Sequence, residues 1–475
     1  MDWIMDGLML LFGKFIIMYN VIAILIYVTM LILAVSQLRK NYSFRKIRIE
    51  EEYMDSVQTK PVSLLVPAFN EEKGIINSIH SLLSLQYPDK EIIVINDDST
   101  DSTQEQLIDY FQMKKVDKII QENISTKPIK SIYQSTVHPS LWLINKINGG
   151  KADSLNAGIN MARFPYFCSI DGDSLLEPTA LQRVMRPIVQ SDGKVIAAGG
   201  NIRIANSLKI SMGSIVKSPI SDRPLIVMQI VEYLRAFLMG RIAFSRLNMM
   251  LIISGAFSIF SKEWAIKVGG FSVDTIGEDM EMVVKLHRKI KEEKVEKRIE
   301  FVSEPVCWTE VPQSFEVLRI QRRRWHQGLI ESLWKHRTMT LNPKYGIVGM
   351  LSFPYFWIIE CFGPIIELGG LIYVVFSLVS GDIYTDYAIL AFLLFIFYGS
   401  ILSIMTLLLE AWSMRRYPTI RDLIHISALS LTELFWYRPM TLLWRCEGIF
   451  RFIIRKREWG QMKRIGISEK ETKQQ

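Results

Sequence analysis

The stretch Phe167-Cys168-Ser169-Ile170-Asp171-Gly172-Asp173-Ser174 ends an apolar run abruptly in two carboxylates one residue apart. At the carboxyl end of a strand in an α/β sheet, where ligands sit, Asp171 and Asp173 make a site for a divalent cation that carries phosphates. Mg²⁺ and Mn²⁺ take oxygen ligands and are commonly completed by phosphate oxygens of the substrate. Alone, Asp-Gly-Asp also reads as a solvated turn, so the neighbouring clusters decide its meaning.

Four further clusters carry chemistry. Asn96-Asp97-Asp98-Ser99 ends a strand pattern, and Asp97 there could accept hydrogen bonds from a uracil or a ribose. Asn148-Gly149-Gly150-Lys151 is a glycine-loosened loop with one lysine, suited to a diphosphate or simply to a turn. Gly277-Glu278-Asp279 opens a helical pattern and reads either as reactive carboxylates or as acids favoured at a helix start. Gln321-Arg322-Arg323-Arg324-Trp325 is a basic stripe with an aromatic that stacks on a sugar or base, or that anchors at a membrane surface.

The elements that must position these clusters follow from the apolar pattern. Between residues 60 and 310 strands alternate with helices: Val62 to Pro67, a helix through Ile75, Ile79 and Leu82, Glu91 to Asn96, Leu141 to Ile144, a helix after Lys151, and Val195 to Ala198. Polar residues gather at each strand's carboxyl end, which predicts a parallel sheet with a nucleotide crevice. Residues 225–243 form an amphipathic helix, for core packing or a membrane surface.

Apolar runs flank this region in a chain of 475 residues that is 49% hydrophobic. Phe15 to Val35 is long enough to cross a bilayer, too long for a secretory signal core, and has no basic region ahead of it. Arg39, Lys40, Arg45, Lys46 and Arg48 follow directly, which predicts an outer N-terminus and a cytoplasmic central domain. After residue 346 a broken segment over 351–380 and a clearer one over 387–413 read as crossings, bounded by an acidic loop at 382–386 and by Arg415-Arg416. Residues 419–455 are apolar but carry Glu433, Arg438, Arg445 and Glu447 and read as a hairpin or two tilted helices, giving four or five crossings in all. The division expected is 1–38 as a membrane helix, 39–345 as the cytoplasmic domain with interfacial helices, 346–455 as the membrane region and 456–475 as a basic tail. The net charge of +8 sits beside the apolar segments, which favours membrane orientation over nucleic acid. Cys168, Cys307, Cys361 and Cys446 are scattered without metal or disulfide spacing.

Taken in order, Val66-Pro67-Ala68-Phe69-Asn70-Glu71, Asp171-Gly172-Asp173, Gly277-Glu278-Asp279 and Gln321 to Trp325 resemble the motifs of the membrane-embedded family 2 glycosyltransferases, the synthases of cellulose, chitin, hyaluronan and poly-N-acetylglucosamine. The resemblance covers residues 60–330 and the flanking membrane plan. It implies a GT-A type α/β domain between N-terminal and C-terminal membrane helices, and a processive, inverting polysaccharide synthase. A UDP-sugar would lie against Pro67, Asn70, Glu71, Asp97, Lys151, Asp171, Gln321, Arg324 and Trp325, with Mg²⁺ or Mn²⁺ on Asp171 and Asp173. Asp279 would be the general base, with Glu278 beside it. Arg324 would stabilise the leaving diphosphate, and Trp325 would stack on the acceptor end of the growing glycan. Accessory export subunits fit the same resemblance.

Three departures stand out. Asp98 occupies the usual glycine position of Asp-Gly-Ser, Gly277 stands where cellulose-type and poly-N-acetylglucosamine-type members often have Thr, and three arginines run together as in chitin synthases. These cues leave the sugar open between glucose and N-acetylglucosamine. A non-processive transferase to a lipid carrier is the rival, but it predicts no Gln-x-x-Arg-Trp and fewer helices after the catalytic domain. A transporter leaves the central domain unexplained, and an inactive assembly subunit would have lost Asp171, Asp173 or Asp279.

Overall fold

The protein is described here by a computed structural model, covering residues 2–48, 59–206, 208–211, 214–217, 220–380, 385–413 and 420–456. The expected acidic stretch before Thr385, the pair Arg415-Arg416 and the tail from residue 457 lie outside the described residues.

The centre is a ten-stranded mixed sheet. Its middle is parallel: Leu141–Lys146, Lys90–Asn96, Val62–Ala68 and Tyr166–Ile170 lie side by side in that order. These strands read as continuous apolar runs because both faces are covered. Leu65, Ile93, Ile95 and Ile144 enter one core, while Leu64, Val66, Ile92 and Val94 enter the other. Parallel strands bring their carboxyl ends to one edge, so Asn70, Asp97, Gly149 and Asp171 all emerge on the same side.

The sheet is less uniformly parallel than the alternation predicts. Phe257–Ser261 runs antiparallel to Tyr166–Ile170 and to Val195–Ile204. The reversal matters because Ser254-Gly255-Ala256 then enters the sheet beside Asp171, whose amide donates to the Ala256 carbonyl at 3.3 Å. Arg298–Thr309 returns parallel to Val195–Ile204 on the far side.

Three helices are long and apolar enough to cross a membrane: Gly7–Lys40, Val348–Val379 and Thr385–Ser413. The sequence reading counted four or five crossings; among the described residues these three helices meet the length and hydropathy of a crossing. The region after 419, read from the sequence as a hairpin or two tilted helices, forms the two shorter helices Ile420–Leu431 and Tyr437–Ile453, joined through a 3₁₀ turn at Glu433–Phe435. Tyr437–Ile453 is only 17 residues long and carries Arg438, Arg445, Glu447 and Arg451. Glu447 pairs with Arg319 at 2.8 Å and Arg323 at 2.7 Å on the helix Phe315–Lys335, and Arg438 pairs with Glu367 at 2.7 Å. The broken character expected for 351–380 is present as π-helical turns at Val348–Ser352 and Phe356–Cys361.

The catalytic-type domain and the membrane helices share one core. Met30, Leu31, Ala34 and Leu38 of the first helix cluster with Leu238, Ile242, Phe353 and Leu409. A buried ion pair also crosses the junction, Arg203 to Glu410 at 2.5 Å. The amphipathic stretch expected at 225–243 is the helix Pro224–Tyr233 followed by a π-helix over Leu234–Arg241.

Candidate active site

Asp97 stands at the end of Lys90–Asn96 and is buried. Its Oδ1 accepts from Lys146 Nζ at 2.8 Å and the Gly149 amide at 3.0 Å, and its Oδ2 from the Gly150 amide at 2.7 Å. The fully buried Lys146 also reaches Asp153 at 2.6 Å. Asp97 therefore fixes the loop that precedes Lys151, a task the sequence did not reveal, and a nucleobase would meet only its remaining lone pairs. Asp98 sits at φ 63°, in the left-handed region that Asp tolerates better than most side chains, so the glycine-type position keeps its backbone.

Asn70, also left-handed at φ 57°, joins the neighbouring loop. Its amide donates to Ser99 Oγ at 3.0 Å and its Oδ1 accepts from the Thr100 amide at 2.8 Å. Pro67 and Glu71 approach the Asp-Gly-Asp turn itself: a Cβ on Gly172 would lie 3.4 Å from the Pro67 carbonyl and 3.5 Å from Glu71 Cγ. Pro67, Asn70, Glu71 and Asp97 thus form a group of loops next to Asp171-Gly172-Asp173, outside the cavity lining described below.

Lys151 opens the helix Lys151–Met161 and ties two motifs together. Its Nζ lies 2.6 Å from Asp171 and 3.5 Å from Glu278, and donates to the Gly255 carbonyl at 3.1 Å. Burial depresses this lysine, but Asp171, Glu278 and Asp279 outweigh it and hold the ammonium above its ordinary range. Burial pushes the Glu278 carboxyl up, with Lys151 opposing. A Cβ on Gly255 would lie 3.1 Å from Asp279 Oδ2 and 3.3 Å from Lys151 Nζ. Sequence reasoning missed Ser254-Gly255-Ala256; a glycine leading into an apolar strand was the available signal of close backbone approach.

Glu278 and Asp279 begin the helix Glu278–Glu292, with Gly277 as its N-cap residue and no side-chain cap. Asp279 Oδ1 accepts from the Met280 amide at 2.8 Å. Glu331, on the helix Phe315–Lys335, holds the approach, its Oε2 accepting from Thr275 Oγ1 at 3.1 Å and the Ile276 amide at 2.8 Å. Ser332 Oγ donates to the Gly277 carbonyl at 3.3 Å.

The three arginines separate. Arg322 is buried against Glu232 at 2.7 Å, and its guanidinium carbon lies 4.4 Å from the Trp325 ring centre. Arg323 is taken by Glu447. Arg324 lines a cavity of about 910 Å³ together with Lys151, Asp171, Asp173, Glu278 and Asp279, and with Gln321 and Trp325. Trp325 is 49% exposed, with Tyr233 6.4 Å away between ring centres. The same cavity continues to Tyr27, Glu360 and Glu367 on the membrane-length helices and to Arg445 on Tyr437–Ile453.

Asp171 and Asp173 fit a divalent cation in their donor chemistry. Both are hard oxygen donors facing the cavity, and Mg²⁺ is ordinarily held by one or two carboxylates plus substrate phosphates. Among the described residues no set of three or more His, Cys, Asp or Glu gathers as a self-sufficient metal site.

Residues 63–269 match the glycosyl transferase family 2 model, and residues 167–405, half of the chain, match that of glycosyl transferase family group 2. The chain belongs to the family 2 glycosyltransferases. This glycosyltransferase is 30% identical over 302 residues to a poly-beta-1,6-N-acetyl-D-glucosamine synthase of Staphylococcus epidermidis, covering 63% of this chain and 61% of that protein. It is 30% identical over 285 residues to the synthase of the same name from Staphylococcus aureus, covering 60% of this chain and 58% of the relative. The chain therefore spans about three fifths of the length of the curated relatives it matches. Among solved structures, a mannosyltransferase of Pyrobaculum calidifontis in complex with GDP-Man and Mn²⁺ aligns with a TM-score of 0.50 at 16% identity, over 92% of this chain and all of the other. At that identity the likeness concerns the fold, which is the α/β glycosyltransferase fold expected from the motifs.

Proposed function

We propose that this family 2 glycosyltransferase is a processive, inverting polysaccharide synthase that transfers N-acetylglucosamine from a UDP-sugar to the end of a β-linked glycan and passes the glycan across the membrane. The observation that carries this reading is the single cavity running from Lys151, Asp171, Asp279 and Trp325 to residues of the membrane helices. The relatives' names support N-acetylglucosamine over glucose. The basic cluster after the first membrane helix supports a cytoplasmic catalytic domain in an integral membrane protein.

In this mechanism the acceptor hydroxyl attacks the anomeric carbon opposite the diphosphate. The new C–O bond forms as the bond to the diphosphate breaks, UDP leaves with the electron pair, and Asp279 receives the acceptor's proton. One displacement on an α-linked donor gives a β-linkage. Lys151 and Arg324 supply positive charge where negative charge develops on UDP. Asp171 and Asp173 would hold Mg²⁺ or Mn²⁺, which supplies Lewis-acid stabilisation of the diphosphate. Pro67, Asn70, Glu71 and Asp97 surround the nucleoside, Gln321 faces the cavity, and Trp325 stacks on the acceptor end.

Membranes containing the protein, incubated with individual labelled UDP-sugars and digested with linkage-specific hydrolases, test the reading. N-acetylglucosamine should enter a β-linked polymer; incorporation of glucose alone would overturn the choice of sugar. Chelation, or Asp173→Ala, is expected to lower the rate on the order of a hundredfold or more, the size of several kcal/mol of lost charge stabilisation. Undiminished turnover in chelator would remove the metal. Trp325→Ala is expected to reduce polymer about tenfold through lost stacking with UDP affinity nearly unchanged; long polymer at the normal rate would refute the stacking role.

A further inference from the structure

The helices Glu278–Glu292 and Phe315–Lys335 meet where Gly277 touches Gly328. Residues 324, 328, 332 and 336 recur at every fourth position, which puts them on one face of the second helix and its cap. Arg324 lines the cavity, Gly328 makes the contact one turn on, and Ser332 Oγ donates to the Gly277 carbonyl. His336, the C-cap residue, ends the face.

Glu281 answers His336 from the first helix. It lies two residues after Asp279, so its side chain leaves the helix about 200° away from that of Asp279. Neither Glu281 nor His336 is among the residues lining the cavity, and Glu281 is fully buried. Its Oε1 lies 3.0 Å from His336 Nε2 and 3.6 Å from Lys335 Nζ, and its Oε2 lies 3.3 Å from Lys285 Nζ. Burial opposes its ionisation, yet His336, Lys285 and Ser272 hold its carboxyl down at about 2, so it is an anion at neutral pH. A carboxylate only accepts, so His336 Nε2 carries the hydrogen. His336 Nδ1 is buried without a hydrogen-bond partner among the described residues, which leaves Glu281 to orient the ring. Lys285 and Lys335 each donate to Ser272 Oγ at 3.1 Å, and Lys335 reaches Asp274 at 2.8 Å. The approach to Gly277 is thus tied into the same cluster. Burying charge costs much of what the attraction returns, so such a cluster serves register between elements better than stability.

We propose that Glu281 is a positioning residue for the transfer: by holding His336 and Lys335 against the start of Glu278–Glu292, it fixes the separation of Asp279 from Arg324. The assignment rests on the synthase reading above, which gives Asp279 the acceptor's proton and Arg324 the leaving diphosphate.

The test uses the full-length protein in detergent with UDP-N-acetylglucosamine as donor. Calorimetry with UDP counts the binding sites, and kcat is expressed per UDP-binding site. Glu281→Gln keeps an oxygen for His336 but removes the charge that Lys285 and Lys335 face. It is expected to lower kcat per site about tenfold, since displacements below 1 Å already slow a reaction, while the Kd for UDP stays within about twofold. His336→Gln is expected to do the same, and the double variant to be no slower than the slower single, because both remove one contact. Where Glu281→Gln yields no UDP-binding protein, His336→Gln decides by the same ratio. An unchanged kcat per site, with only a lower Tm or fewer sites, overturns the proposal by leaving Glu281 a purely structural task. A loss of UDP affinity as large as the loss of kcat, or fully additive effects in the double variant, also overturns it. Wild-type protein that turns over no UDP-sugar would instead defeat the synthase reading on which the assignment rests.

Discussion

Asp279→Asn is expected to give a folded protein that binds UDP normally and makes polymer a hundredfold to ten-thousandfold more slowly, the usual effect of removing a general base. The carboxylate lies in the first turn of Glu278–Glu292. It faces the cavity shared with Lys151, Arg324 and Trp325. Asparagine preserves its size and can still accept the Met280 amide through its carbonyl oxygen, but it cannot take a proton from a sugar hydroxyl. A purely structural role predicts little change, because Gly277 rather than Asp279 occupies the N-cap position. Any loss through the helix start would be about 1 kcal/mol of stability. Polymer synthesis and UDP affinity measured in parallel separate the two roles, and normal synthesis would remove Asp279 from the mechanism.

Gly277→Ala is expected to lower kcat on the order of a hundredfold in a protein that still folds. A Cβ at residue 277 would lie 2.8 Å from the Gly328 carbonyl oxygen and 3.0 Å from its Cα. Both obstacles are backbone, so no side chain can swing aside. The φ of Gly277 is −102°, open to any residue, and space alone decides the outcome. Relief requires either that Phe315–Lys335 retreat with Arg324 and Trp325, or that the 275–277 segment shift with Asp279. Glu331 and Ser332 bind that segment to the same helix, so the strain falls on Asp279, Arg324 and Trp325. A misplacement of about 1 Å is enough to cost on the order of a hundredfold. Gly328→Ala should behave alike, since its Cβ would meet the Gly277 amide nitrogen at 2.8 Å. Near-normal kcat in both variants would show that this contact does not set the geometry.

The sequence by itself determined the α/β domain, the strand ends at Asp97 and Asp171, the helix starts at Lys151 and Glu278, and the family. Each of these rests on a local signal: an apolar run with a polar stop, or a short motif in fixed order. The first membrane helix was legible for the same reason, since length and hydropathy suffice. What each side chain does in the site came only with the fold. Successive helical residues point about 100° apart, so three adjacent arginines meet three surroundings. Their partners come from afar: Glu232 for Arg322, 90 residues away, and Glu447 for Arg323, 124 residues away. The commitment of Asp97 to the Gly149-Gly150 loop, the contact of Gly277 with Gly328 and the entry of Gly255 beside Asp171 likewise join segments with no sequence relation. The same holds for the charges of Tyr437–Ile453, which are matched by residues of other helices. Periodicity records which face of an element is covered, whereas the partner of a charge is chosen by packing between elements distant in the chain.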